Sequence, residues 1–316
     1  MGDHEMEAFK SILVDIDATV PTHPALERAI RLARRSGARL TITDILTIPA
    51  YARRSLPAEL EEEVISGRRQ QLMRIADAVT GVRTEAKLLI GRPGTVLVQE
   101  VLRSNHDLLM RSHARDMTST GPRPFGAVDM ELLRRCPCPV FLVRHGHVDP
   151  QPQIVAAVNA STEDHSERAL NVKIVELALL IAEHESGVPI LLQAWAPFAE
   201  FLVRSHGSAA AVAAYVEDVR QRTAADLRQL AQSFGNRLAG VQLVHRRGEP
   251  EAVISEFVVG HGVDLVVMGT VARGGIAGLL IGNTAERVLR QLPCSVLAVK
   301  PDGFVCPVKL DEGGAT

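Results

Sequence analysis

The chain has 316 residues, of which 46% are hydrophobic and 23% charged, with a formal net charge of −2. At ~150 residues per domain this length makes two domains the expectation, and the ordinary composition excludes a collagenous, low-complexity or largely disordered protein. The balanced charge and the scarcity of aromatics (8 Phe, 2 Tyr, 1 Trp) exclude a generic polyanion binder and a base-stacking platform, so no nucleic-acid partner is expected.

From the start, Met1–Met6 carries acids where a signal peptide carries bases. No run of ~18 apolar residues follows anywhere, so no membrane partner is expected. Cys136, Cys138, Cys294 and Cys306 are too sparse for a disulfide scaffold. A cytoplasmic chain with reduced thiols is the expectation.

Short β-branched runs then alternate with longer helical patterns, which predicts βαβ crossovers and a mostly parallel sheet. The first five strands are expected near Ile12–Ile16, Leu40–Ile45, Thr84–Leu89, Leu108–Arg111 and Val140–Val143. After the first of them, Pro24 opens a helix that carries Ala25, Leu26, Ala29, Ile30 and Ala33 at helical spacing. The Gly- and Pro-rich stretch His145–Pro152 is a linker. Five more strands are expected near Ile154–Val158, Ile190–Ala194, Val241–His245, Leu265–Met268 and Val296–Val299. An Ala-rich insertion between Trp195 and Tyr215 runs into a helical pattern through Val219, Leu227 and Leu230. Its Phe198, Phe201 and Val212 could line an apolar channel, although core packing is the expected role.

The second half repeats the first. Ser11–Asp17 is echoed by Gln153–Asn159, Asp107-Leu-Leu-Met by Asp264-Leu-Val-Val, and Gly126–Val140 by Gly282–Val296.

Parallel sheets bind ligands at the carboxyl ends of their strands, where helix N-termini offer free N–H groups to an anion. In the second half the fourth strand ends at Gly269 and continues through a Gly-rich loop to Gly282-Asn-Thr-Ala-Glu286 and a helix. The spacing Gly269-x2-Ala272-x9-Gly282-Asn283 resembles the Gly-x2-Gly-x9-Gly-Ser/Thr loop of the universal stress protein family. The run Gly282–Glu286 and the ending Lys300–Glu312 add to the resemblance, which covers nearly the whole chain and points to tandem members.

That resemblance implies two tandem five-stranded parallel-sheet α/β domains, adenine nucleotide alpha hydrolase-like with a flavodoxin-like layout, packed as an intramolecular pseudo-dimer. The expected bounds are 8–146, 153–304 and a C-terminal tail 305–316, with the last strand of each half, Pro139–Arg144 and Ser295–Lys300, joining the halves. It also implies that ATP or another adenine nucleotide is the ligand. The ligand-binding candidates are Asn159 at the end of the first strand, Ala194 beside the base, and Gly269, Ala272, Arg273, Gly282, Asn283 and Thr284 around the phosphates. Ala272 stands where the family has glycine and brings a Cβ toward the phosphate, while Asn283 stands for Ser/Thr and can act as a helix N-cap. Asn159 replaces the family's carboxylate, and a neutral amide is a poor ligand for a hard cation, so no metal is expected.

The first half reads Ser112-x2-Arg115-x10-Gly126-Ala127 with Pro122 and Pro124 in the loop, and is expected not to hold phosphate. Its Asp17 is expected to terminate a strand. His245-Arg-Arg247 reads as solvated charge, and His145-x-His147 with Asp149 lacks a fourth ligand or a rigid frame for a metal. No triad, nucleophile elbow, paired carboxylate or Gly-Lys-Ser/Thr loop occurs, so no catalytic residue is assigned. Three functions stay open: a non-catalytic stress-response protein that binds a nucleotide or other phosphorylated molecule in its second half, an interaction scaffold, and a slow nucleotide hydrolase.

Overall fold

All ten expected β-branched segments are strands of one sheet in the computed structural model, which describes residues 9–113, 125–146, 149–198, 200, 207–270 and 281–310. In the first half these are β1 (Ser11–Asp15), β2 (Arg39–Leu46), β3 (Thr84–Ile90), β4 (Leu108–His113) and β5 (Val140–Arg144). The second half supplies β6 (Gln153–Ala157), β7 (Val188–Trp195), β8 (Gln242–Arg247), β9 (Leu265–Gly269) and β10 (Ser295–Val299). The order across the sheet is β3-β2-β1-β4-β5-β10-β9-β6-β7-β8, so each half runs 3-2-1-4-5. Every pairing is parallel except β5 with β10, where Leu142, Phe141 and Val140 oppose Val296, Leu297 and Ala298. The pseudo-dimer is therefore a single continuous sheet, and its central seam pairs two strands that would otherwise be exposed edges.

Strands apolar on both faces require helices on both faces. One layer holds α1 (Pro24–Ser36), α3 (Ala58–Asp77), α6 (His165–Glu185) and α7 (Ala209–Gln232). The other holds α4 (Pro93–Ser104), α5 (Ala127–Arg135), α8 (Pro250–His261) and α9 (Asn283–Leu289). A short α2 (Ala50–Ser55) and a 3₁₀ turn (Gly235–Leu238) complete the described elements. Helix α1 starts with Pro24, whose missing N–H costs nothing in the first turn, and stops at Gly37, where φ is +71°. Between them Ala25, Leu26, Ala29, Leu32 and Ala33 are buried. The alanines of the insertion are helical, since α7 begins at Ala209 behind the Ser208 cap, whose Oγ accepts from Ala211 N. Phe198 is 87% exposed and Val212 is buried, while Phe201, the third residue of the expected channel, lies outside the described residues.

Contacts on both helical layers tie the halves beyond the seam. Arg28 of α1 is 2% exposed and forks onto Glu185 of α6, with Nε–Oε1 and Nη2–Oε2 both 2.5 Å. Its guanidinium also lies 4.5 Å from the centroid of Phe141 on β5. On the opposite layer the chain after β10 crosses back to the first half. Buried Lys300 donates to Leu133 O near the end of α5, where a cation suits the helix dipole, and to Thr270 Oγ1 at 3.1 Å. Farther along, Cys306 Sγ meets Arg135 O at 3.2 Å and Gln99 Nε2 donates to Lys309 O at 3.1 Å.

At the amino ends of the first-half strands, Glu100 of α4 is 2% exposed and accepts from Lys87 Nζ at 2.9 Å and Ser104 Oγ at 2.7 Å. Burial alone would raise its pKa; the neighbouring His106 ring, 3.7 Å away, and hydrogen bonds from Lys87 and Ser104 outweigh burial and hold the carboxyl at about 2. A carboxyl held below its unfolded value of 4.5 contributes stability that is complete above that pH and is lost as pH falls toward 2. Glu100→Gln is expected to flatten the acid limb of stability across that window, measured as denaturant midpoints against pH.

Candidate functional site

The carboxyl ends of β1, β2 and β4, and of β6, β7 and β9, are equivalent places in the two halves. Register fixes the correspondence. Asp15 pairs with Thr43 and Arg111, and Ala157 pairs with Leu192 and Met268. Asp15 thus matches Ala157, Arg111 matches Met268, and Asp44 matches Gln193. In the helices, buried Leu72 and Leu227 hold the same place, which sets Arg68 against Thr223. The caps Gly126 and Gly282 set Asp129 against Ala285.

The first half fills this place with its own side chains. On the α4/α5 side, Arg111 Nη1 binds Asp15 and its Nε donates to Asp129 Oδ1 at 3.0 Å. Asp129 Oδ2 in turn accepts from Gly126 N at 2.9 Å, so a carboxylate of the chain already occupies the N-terminus of α5 where an anion would sit. On the α1/α3 side, Arg68 Nε binds Asp44, while Nη2 reaches Asp44 Oδ1 at 3.1 Å and Asp17 Oδ1 at 2.9 Å. Asp17 closes a turn after the strand by accepting from Thr19 N at 2.9 Å and Thr19 Oγ1 at 2.6 Å. Burial would raise its pKa, but Thr19 and Arg68 hold it below the ordinary carboxylate value. Buried Asp15 is pushed up to about 7 by desolvation, against the pull of Arg111 and with Asp44 and Asp129 adding to the rise. Arg115, Pro122 and Pro124 lie outside the described residues.

In the second half none of these charges is repeated. Ala157, Met268 and Ala285 replace Asp15, Arg111 and Asp129; Gln193, Thr223 and Asn159 replace Asp44, Arg68 and Asp17. Helix α9 has Gly282 as its cap residue, with no side-chain hydrogen bond. Asn283 is one residue inside the helix and exposed, as is Thr284, so the capping role expected for Asn283 falls to the Gly282 backbone instead. Gly282 N donates to Thr270 O at 3.0 Å, which draws together the two ends of the loop. Ala272 and Arg273 lie within that loop and outside the described residues.

The other candidates have definite surroundings. Asn159 is clamped through its backbone: its N–H donates to Asn171 Oδ1 at 3.0 Å and its carbonyl accepts from Asn171 Nδ2 at 2.8 Å. Its side chain reaches Glu167 Oε2 at 3.5 Å. Ala194 sits in β7 beside Arg246 of β8, on the α8/α9 face. A Cβ on Gly269 would lie 2.8 Å from Leu170 Cδ2, so close packing of α6 on β9 already demands glycine there. The charges at the end of β8 are internally engaged: Arg247 Nη2 donates to Glu200 at 2.6 Å, and Arg246 lies 5.0 Å from the Phe257 centroid. Among the described residues no group of three potential ligands could hold a metal; His147 is outside them. All four cysteines are unbridged, and no described helix is long and apolar enough to cross a membrane.

What sequence reasoning missed is a cleft of about 770 Å³ between α6 and α7. Its walls include Ser161, Thr162 and Asn171 on one side and Tyr215, Thr223 and Asp226 on the other. The α7-side face of β7 and β8 carries Gln193, Trp195 and His245, which are not among the residues lining the cleft. Trp195 and His245 stack with centroids 5.4 Å apart, and His245 Nε2 lies 2.9 Å from Thr223 Oγ1. Burial, with Arg220 and Arg228 nearby, keeps His245 below its ordinary pKa and so neutral at pH 7.

Comparison with known proteins agrees with this architecture. The profile of the universal stress protein family matches residues 8–144 and again 153–300. Universal stress protein E of Photorhabdus laumondii is 31% identical over 317 aligned residues, covering 96% of this chain and 99% of that protein. The Escherichia coli K12 protein of the same name is 30% identical, over 97% and 99%. Among solved structures, a putative universal stress protein from Pseudomonas aeruginosa superimposes with a TM-score of 0.70 at 24% identity, covering 95% of this chain and 96% of that one. One from Archaeoglobus fulgidus gives 0.57 at 15%, over 92% and 98%. With two matched repeats, one ten-stranded sheet and full-length similarity to universal stress protein E, the chain belongs to the universal stress protein family in its tandem form.

Proposed function

We propose that this protein acts without catalysis in a cytoplasmic stress response, binding a nucleotide or another phosphorylated small molecule in its second half. In this view domains 8–146 and 153–304 divide the work. The first is a structural partner, the second carries the site, and tail 305–316 follows. ATP or a related adenine nucleotide is the ligand that the family resemblance favours, and no metal is required by the residues present.

The observation that carries this is the contrast between equivalent places. Asp129 and Arg111 fill the first, whereas the second has Ala285 and Met268 and a helix start with no side-chain cap. An anion near Gly282, Asn283 and Thr284 would meet helix-start N–H groups that no side chain caps, while Glu286 in the same turn is engaged by Arg290 and Arg134. Asn159 and Ala194, at the ends of β6 and β7, would face the ribose and base, and Gly269, Ala272 and Arg273 the phosphates.

Calorimetric titration of the full chain with ATP is expected to give saturable binding. Gly282 has φ −59°, so Gly282→Asp is compatible with the backbone and places a carboxylate at the helix start. It is expected to weaken binding at least about 10-fold, a cost of about 1.4 kcal/mol. Absence of saturable binding and of copurified nucleotide would favour the scaffold reading, which has in its support the 87% exposed Phe198 in the insertion. Phosphate release that Gly282→Asp abolishes would favour a slow hydrolase.

A further inference from the structure

The turn from α5 into β5 brings two thiols together. Cys136 closes the helix, with its N–H on Leu132 O, and Cys138 follows after one proline. Their sulfurs are 3.5 Å apart, close to van der Waals contact, and a disulfide requires about 2 Å. Cys136 is 0% exposed while Cys138 is partly exposed, so the pair has an inner and an outer member.

The second half shows that packing alone does not call for this pair. In the repeat of Gly126–Val140 by Gly282–Val296, Cys136 corresponds to Leu292 and Cys138 to Cys294. Leu292 is 1% exposed, so leucine fills the inner position. Cys294 is 3% exposed, and burial pushes its thiol up to about 12, the state of an inert core cysteine. The first half differs by a second sulfur placed in contact with the first. The pair also lies beside the crossing from the second half, which the carbonyls of the last turn of α5 hold. Leu133 O accepts from Lys300 Nζ, and Arg135 O, in the peptide group that leads into Cys136, accepts from Cys306 Sγ at 3.2 Å. Cys306 is thus a third thiol in the neighbourhood, engaged on the backbone.

We infer that Cys136 and Cys138 form an oxidation site at which a peroxide converts the dithiol into an intramolecular disulfide, while Cys294 and Cys306 stay reduced. The Cys138 thiol gives up its proton and its sulfur attacks one oxygen of hydrogen peroxide. The O–O bond breaks, the sulfur becomes a sulfenic acid, and the other oxygen takes up the proton and leaves as water. Cys136 Sγ then attacks the Cys138 sulfur, the S–O bond breaks, and the hydroxyl leaves with the Cys136 proton as a second water. Two thiols are oxidised and one peroxide is reduced. The hydrogen bond with Cys136 and desolvation push the Cys138 thiol well above its ordinary pKa, which makes the first step slow. The second step joins sulfurs already in contact, so the sulfenic acid does not accumulate.

The test treats the full chain with hydrogen peroxide in a buffer containing a metal chelator, alkylates the remaining thiols under denaturing conditions and digests with trypsin. Cleavage after Arg135 and Arg144 places both cysteines in one peptide, Cys136–Arg144. That peptide is expected to lose two hydrogens, to escape alkylation and to regain both thiols with dithiothreitol. Its oxidation is expected to run at least about 10-fold faster than that of Cys294 or Cys306. Cys136→Leu, which copies Leu292 of the second half, is expected to melt as the wild type does and to accumulate a sulfenic acid on Cys138 that dimedone traps. Cys138→Ser is expected to leave Cys136 open to alkylation after the same exposure, and Cys306→Ser to leave the disulfide and its rate unchanged. The inference is overturned if the wild-type peptide keeps two free thiols, if a disulfide forms with Cys306 or Cys294 instead, or if Cys138 proceeds to sulfinic acid without a disulfide. It is equally overturned if folded Cys136→Leu yields no trappable sulfenic acid.

Discussion

Replacing Arg28 with alanine is expected to lower the stability of the whole molecule by about 3–5 kcal/mol. The side chain is 2% exposed and its partner Glu185 only 10%, so the variant leaves a carboxylate buried without a counter-ion. The pair is not expected to add that much relative to an apolar substitute, since desolvating two charges offsets most of their attraction. Arg28→Met with Glu185→Leu is therefore expected to recover most of the loss. Guanidinium unfolding of the wild type and the two variants checks both statements, and equal midpoints for single and double variants would refute the explanation. The seam should sense the change, because Arg28 also lies over Phe141 of β5 and Nη1 is 3.4 Å from Ser295 Oγ of β10.

The second large effect is expected at Arg111, and it should depend on pH. Arg111→Met removes the cation shared by Asp15 and Asp129, at a cost of about 3 kcal/mol, the lower end of the range because Arg111 is 27% exposed. The direction with pH follows from Asp15, whose pKa in the folded protein is about 7 against 3.8 for an unperturbed aspartate. A carboxyl raised in this way prefers to be protonated when folded, so its contribution to stability declines as pH rises from 3.8 toward 7. Without Arg111 the anionic form is worse still. The loss should be near its maximum at about pH 8 and clearly smaller at about pH 5, where Asp15 can take up a proton. Denaturant midpoints at the two pH values measure the difference, and a loss independent of pH would assign the effect to packing alone.

Much of the fold could be read along the chain because its causes are local. The β-branched runs around Ile12, Leu40 and Val140 are strands, and Pro24 and Gly37 punctuate α1 as their backbone preferences dictate. The partnership of β5 and β10 was legible through the family resemblance, which implies that the closing strand of each half joins the two. The site was less so. Arg68 meets Asp44 across 24 residues of chain, Arg111 meets Asp15 across 96, and Gln193 meets Ser161 across 32. No periodicity records such meetings. A one-residue difference mattered too: Asn283 has the chemistry of a cap, yet the helix takes Gly282 as its boundary. Gly269 shows the opposite trap, since a glycine in a phosphate-loop spacing is also required by Leu170 pressing on β9.

Joining the halves through β5 and β10 within one polypeptide has a consequence for how such a molecule can change over time. In a homodimer every substitution appears twice, so a mutation that closes one socket closes both. Here each copy varies alone. Asp15, Arg111 and Asp129 could accumulate on one side as internal ballast while their counterparts became Ala157, Met268 and Ala285 on the other, dividing labour between two descendants of one gene segment.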